Sequence, residues 1–188
     1  MNVYEIDWRL SSTRQVFQAL SEALKSVKKI FLDKTREDYE REDALEHAEN
    51  LLGIAFVTAQ TYITGTVSDI NQFAKTANNL SKNQLLKIHN EKVAKTTIKN
   101  LELCNALANY YKHHDEWKSW SAGGRQKSTV ETLEAVGIKE SDAYPCIKAS
   151  EILLLDTQNL ETLLVLLSNW RETVFRAYKN QSALKSLK

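Results

Sequence analysis

Residues 105 to 120 read NALANYYKHHDEWKSW, a stretch crowded with groups that move protons or meet charge. At 100° per residue, a helix sets Asn105, Asn109, Lys112, His113 and Glu116 within one arc of about 100°. Imidazole ordinarily titrates near pH ~6.5, so His113 is suited to give or take a proton. Lys112 beside it can stabilise a developing negative charge, and Asn109 can orient a phosphate or the imidazole. Glu116, three residues after His113, can hold either side chain in place. Asn105, His114, Tyr111, Trp117 and Trp120 are candidate binding residues around these four. A solvated helix face would produce a similar arc, but such faces are usually rich in Glu and Lys. Asparagines are middling helix formers that gain little there unless their amides bind something. His114 falls among the apolar residues of the same helix and is expected to be buried or to face another element.

Other chemistries find little support. There is no P-loop, GxGxxG, GxSxG or HExxH, and no cofactor is expected. His47 lies among Asp43, Glu46 and Glu49, yet a di-iron bundle needs two Glu-x-x-His pairs, and no metal site is expected. Cys104 and Cys146 match no zinc or CxxC spacing and read as reduced thiols, Cys104 as packing and Cys146 as part of a helix start after Pro145. Twenty-five lysines and arginines stand against 24 acids, a net charge of +1, so no global field draws the chain to nucleic acid or anionic membrane, and any RNA contact must be local. No apolar run reaches the roughly 18 to 20 residues that span a bilayer, and MNVYEIDWRL lacks the basic and apolar regions of a secretory signal. These features predict a cytoplasmic protein without membrane contact.

The elements that must position these residues are helices. Five Gly and one Pro are few punctuators for 188 residues, and 43% apolar with 26% charged content fits a single globular domain over 1–188. Apolar spacing predicts a first helix after Ser11, Ser12 or Thr13 as cap, and a second from about 37 to 78 on Leu45, Ala48, Leu52, Ala55, Ala59, Tyr62, Thr66 and Ile70. That second helix would be about 60 Å long, which predicts a bend or a dimer seam, with Gly53 and Gly65 as bend or close-packing points. Ser81 should cap a third, from about 82 to 118, whose end carries the stretch above. SAGGRQKS predicts a flexible loop over 121–128, then a short helix with Ser128 and Glu131 at capping-box spacing and Gly137 as its stop. Pro145 should open a last helix to about 180, with an interruption at Asp156–Asn159, a core spanning about 11–180 and a frayed tail over 181–188. The fold class is all-α, a bundle of four to five helices, two of them unusually long.

LCNALANYYKHHDEW resembles the Asn-x-x-Lys-His variant of the motif of bacterial HEPN-like helical proteins, carried here by Asn109, Lys112 and His113, with Asn105 or Asn109 in the region where the usual motif has arginine. The resemblance implies a helical bundle that dimerises so that two motifs face each other across a cleft. It also implies a metal-independent endoribonuclease of a toxin or anti-phage defence system, with His113 acting on the ribose 2′-hydroxyl, Lys112 stabilising the phosphorane and Asn109 orienting it. The alternative is a non-catalytic dimerisation or binding module whose polar stripe, with Trp117 and Trp120, meets a protein partner or a nucleotide.

Overall fold

The computed structural model describes residues 6–74, 80–88, 91–117, 119–120 and 124–185, with the backbone alone at 74, 125 and 180–185. The protein is all-α and 76% helical. Its helices are α1 (Trp8–Leu32), α2 (Asp38–Ala74), α3 (Lys82–Lys87), α4 (Asn100–His113), α5 (Lys127–Ala135), α6 (Pro145–Ile152) and α7 (Glu161–Lys185). Among the described residues seven helices stand where four to five were expected, because the third and the last are each broken in two.

The first break has a local cause. Val93, Thr96, Thr97 and Ile98 are β-branched and stiff at χ1, and a threonine hydroxyl offers the backbone a bond outside the helix. Ile88 leaves α3 with an extended backbone, Val93 N–H donates to the Ile98 carbonyl and Asn100 N–H to that of Glu91, both at 2.8 Å. Lys95 turns the corner at φ 62°, and the Thr96 hydroxyl donates to the Val93 carbonyl at 3.0 Å. The second break is longer than expected. Leu154 adopts φ 53° and is 87% exposed, Asp156 accepts the Gln158 N–H at 2.9 Å, and the Leu160 N–H donates to the buried Ser21 hydroxyl at 3.0 Å.

Where caps were expected the outcome is mixed. Ser81 and Gln84 form a reciprocal capping box, Pro145 opens α6, and Gly137 follows α5 at φ 84°. Ser128 caps nothing: Gly124–Gln126 form a 3-10 turn that runs into α5 at Lys127, shortening the expected loop, whose residues 121–123 lie outside those described. α1 begins a turn early because tertiary charge pulls its start inward. Tyr62 donates to Asp7, Arg9 pairs with Asp69, and the buried Arg171 lies 3.5 Å from both carboxylates while donating to the Ile6 carbonyl at 3.0 Å. Burial and then Asp7 push the Tyr62 phenol up. The expected tail at 181–188 is helical as far as Lys185, and 186–188 lie outside the described residues.

α2 is the axle of the bundle. It packs on α1, α3, α4, α6 and α7, so the chain itself surrounds the helix whose length suggested a dimer seam. Phe17, Leu20 and Leu24 of α1, Leu52, Phe56, Tyr62 and Ile63 of α2, Leu101 and Leu107 of α4, and Leu163, Leu167 and Trp170 of α7 form one buried core. Both α2 glycines are close-approach points. A Cβ at Gly53 would lie 2.1 Å from the Tyr111 ring, and one at Gly65 2.0 Å from the Arg9 side chain. The expectation that no segment is long and apolar enough for a bilayer needs correction. Asp38–Phe73 is long enough and holds an 18-residue window with a mean hydropathy of 1.2, although 56% of that window is buried within the fold.

Candidate functional site

The site begins with the way α4 is seated. Leu101, Leu103, Cys104, Leu107 and Ala108 are buried, and burial pushes the Cys104 thiol up to about 12, out of reach of nucleophilic chemistry at neutral pH. The polar arc emerges along the edge of this apolar seat. Asn109 is its centre line, with Asn105 and Lys112 turned to one side and His113 to the other. On the first side lies Gln60 of α2, only 7% exposed. Its amide nitrogen donates to the Oδ1 of Asn105 at 2.9 Å and of Asn109 at 2.8 Å, and its carbonyl oxygen accepts from Lys112 Nζ at 2.7 Å. Three of the expected site residues are therefore tied to one buried amide, and their face is not simply solvated.

On the other side His113 closes α4, and residues 114–116 tighten into a 3-10 turn. A 3-10 turn eclipses positions three apart, and so His113 Nδ1 comes within 3.3 Å of Glu116 Oε1. Both open onto a cavity of about 480 Å³ lined by Asn109, Trp117, Gln126, Ser128 and Thr129. A second cavity of about 290 Å³ shares Asn109, Ser128 and Thr129 and runs back past Asn105 to Asn83 and Lys87 of α3. Together they make one polar trough between α4 and α5. The chain matches no protein-family model, no curated protein and no solved structure.

The trough gathers Asn105, Asn109, His113, Glu116 and Trp117 and leaves the other candidates outside. Lys112 reaches toward α2 and lines neither cavity, since consecutive helical residues diverge by about 100°. His114 is half-buried, with Nδ1 3.1 Å from the Tyr111 carbonyl and its ring 5.0 Å from that of Tyr110. Tyr111 lies against Gly53, and its hydroxyl donates to Asn50 at 3.3 Å. Trp120 packs edge-on against Tyr110 at 5.6 Å, as Trp117 does at 5.8 Å, and the Trp120 N–H donates to Glu140 at 3.0 Å. Burial, then the charge of Glu49, pushes the Tyr110 phenol up to about 12. These aromatics brace the end of α4 against the bundle.

Gln60, Gln126, Ser128 and Thr129 escaped the sequence reading. Gln60 did leave a trace: an amide inside the apolar run GIAFVTAQTYI needs a partner, as did the two asparagines of α4. The spacing of Ser128 predicts a cap, whereas its place on the trough wall depends on how α5 folds back across α4.

Proposed function

We propose that the trough binds RNA and that His113 cleaves it without a metal, as a cytoplasmic HEPN-like endoribonuclease of a toxin or anti-phage system. The observation that carries this reading is the His113–Glu116 pair, 3.3 Å apart and opening onto a polar cavity it shares with Asn109, Ser128 and Thr129. An imidazole held by a carboxylate is a suitable general base, and the neighbouring amide and hydroxyls suit the oxygens of a sugar and a phosphate. His113 takes the proton of a ribose 2′-hydroxyl, and that oxygen attacks the adjacent phosphorus. The bond from phosphorus to the 5′-oxygen breaks, the proton passes to that oxygen, and the products are a 2′,3′-cyclic phosphate and a 5′-hydroxyl. Asn109 orients the phosphate, while Lys112, anchored through Gln60, contributes its charge from the flank of the arc. Pairing of two copies across this face would supply a second His113 as the acid.

A second reading, a helical module that binds a nucleotide or a protein through the same trough without cleaving it, is favoured by one observation. Lys112 is already bonded to Gln60 and lines neither cavity. The experiment that separates them is RNA cleavage by the purified chain in EDTA. We expect cleavage by the wild type, a loss of about 100-fold or more in His113→Ala, and no cleavage of a 2′-deoxy strand. No cleavage by folded wild type would overturn the reaction and leave the binding module.

A further inference from the structure

The Gln60 knot has a fixed hydrogen-bond polarity, and a single charged donor fixes it. An ammonium group has no acceptor, so the Gln60 atom that Lys112 meets at 2.7 Å is the carbonyl oxygen, and the amide nitrogen is left to face α4. That nitrogen donates to Oδ1 of both Asn105 and Asn109, which commits both asparagine carbonyls to Gln60. Their own amide nitrogens must turn the other way, and both residues line the trough. Among the described residues no hydrogen bond takes either nitrogen.

Lys112 fixes this polarity from outside the trough, bonded to Gln60 and lining neither cavity. Of the acids that line this part of the trough, Glu102 accepts the Lys99 N–H at 3.0 Å, and Glu131 pairs with Lys127 at 3.8 Å. Amide donors without acceptors suit a ligand whose outer atoms are negatively charged oxygens.

We infer that Asn105 and Asn109 form a phosphate subsite along the trough from His113, and that Gln60 is the positioning residue that aims the two amides into it. The ligand class is a single strand linked by phosphodiesters, its reactive ribose at His113 and a flanking phosphate at the asparagines. The inference rests on the reading of the trough as an RNA site and names what holds the strand there.

The test uses the full chain, isotope-labelled, and an uncleavable 2′-deoxy hexanucleotide, so that binding is read without chemistry. We expect the strand to shift the side-chain NH₂ resonances of Asn105 and Asn109. Gln60→Glu makes both amides turn and donate to the new carboxylate, and should weaken binding about tenfold or more. Gln60→Met frees the amides without adding charge and should weaken it by a smaller factor, about threefold. NH₂ resonances that stay still at a saturating strand concentration would overturn the subsite, as would Gln60→Glu binding within about twofold of wild type at an unchanged melting temperature. Should Gln60→Glu not fold, the wild-type resonances decide alone. A strand that moves them while RNA stays intact in EDTA retires the cleavage reaction and keeps the subsite. Cleavage with unmoved resonances retires the subsite alone.

Discussion

At the scale of single residues, the structure turns on a few positions where one atom more would not fit. Gly53 is the clearest, because Tyr111 lies flat against its Cα and a Cβ there would meet ring carbons at 2.1 to 2.5 Å. Those carbons belong to the body of the ring, and the ring cannot swing clear without disturbing its stack with His114 at 6.2 Å. We expect Gly53→Ala to cost about 1 to 3 kcal/mol in urea denaturation, although alanine is the better helix former by about 1 kcal/mol. A stabilised variant would mean that α2 and α4 can separate at little cost. The same contact fixes the end of α4, and with it the direction in which His113 leaves the helix.

At the scale of elements, Glu49 joins α2 to α6. Its carboxylate accepts the Cys146 N–H at 2.7 Å and the Ile147 N–H at 2.9 Å, and so caps α6, whose own preceding residue, Tyr144, supplies no side-chain cap. Glu49→Ala should cost about 0.5 to 2 kcal/mol, the usual range for a lost cap. Burial pushes the Glu49 carboxyl up, and the two backbone donors only partly oppose this. A raised folded-state pKa favours folding below the ordinary glutamate range, and that contribution is lost as the pH rises through the raised value. Thus Glu49→Gln, which does not titrate, should gain in melting temperature relative to wild type as the pH is raised from acid to neutral; a difference independent of pH would refute this. Element boundaries also show what could be read in advance. Pro145, Gly137 and Ser81 act through their own backbones, and their residue types and places in the sequence marked them. The early start of α1 depends on partners far along the chain, Asp69 and Arg171, which no local pattern reveals, whereas the break at 88–99 has its signal in its own β-branched run. The arc around Asn109 was legible as a helical stripe, whereas Gln60, 45 residues from Asn105, and the α5 wall make it a trough by packing across α4, and no local spacing announces either contact.

At the scale of the whole molecule, Arg171 ties three distant parts of the chain together. It holds the N-terminal segment through Asp7 and the Ile6 carbonyl, α2 through Asp69, and α7 by lying 4.3 Å over the Phe175 ring. The residue is 4% exposed, so the pairs it makes are poorly screened by salt. Arg171→Met should cost about 3 to 5 kcal/mol, because it leaves carboxylates without their buried partner, and added salt should not restore the loss. Recovery of stability in high salt would show the network to be a surface feature. The four tryptophans divide along the same lines. Trp170 sits in the core at 2% exposure, Trp8 stands in solvent at 66%, and Trp117 lies on the wall of the trough. The molecule thus carries its own optical reporters: one indole that changes colour when the bundle comes apart, and another placed to respond when something enters beside His113.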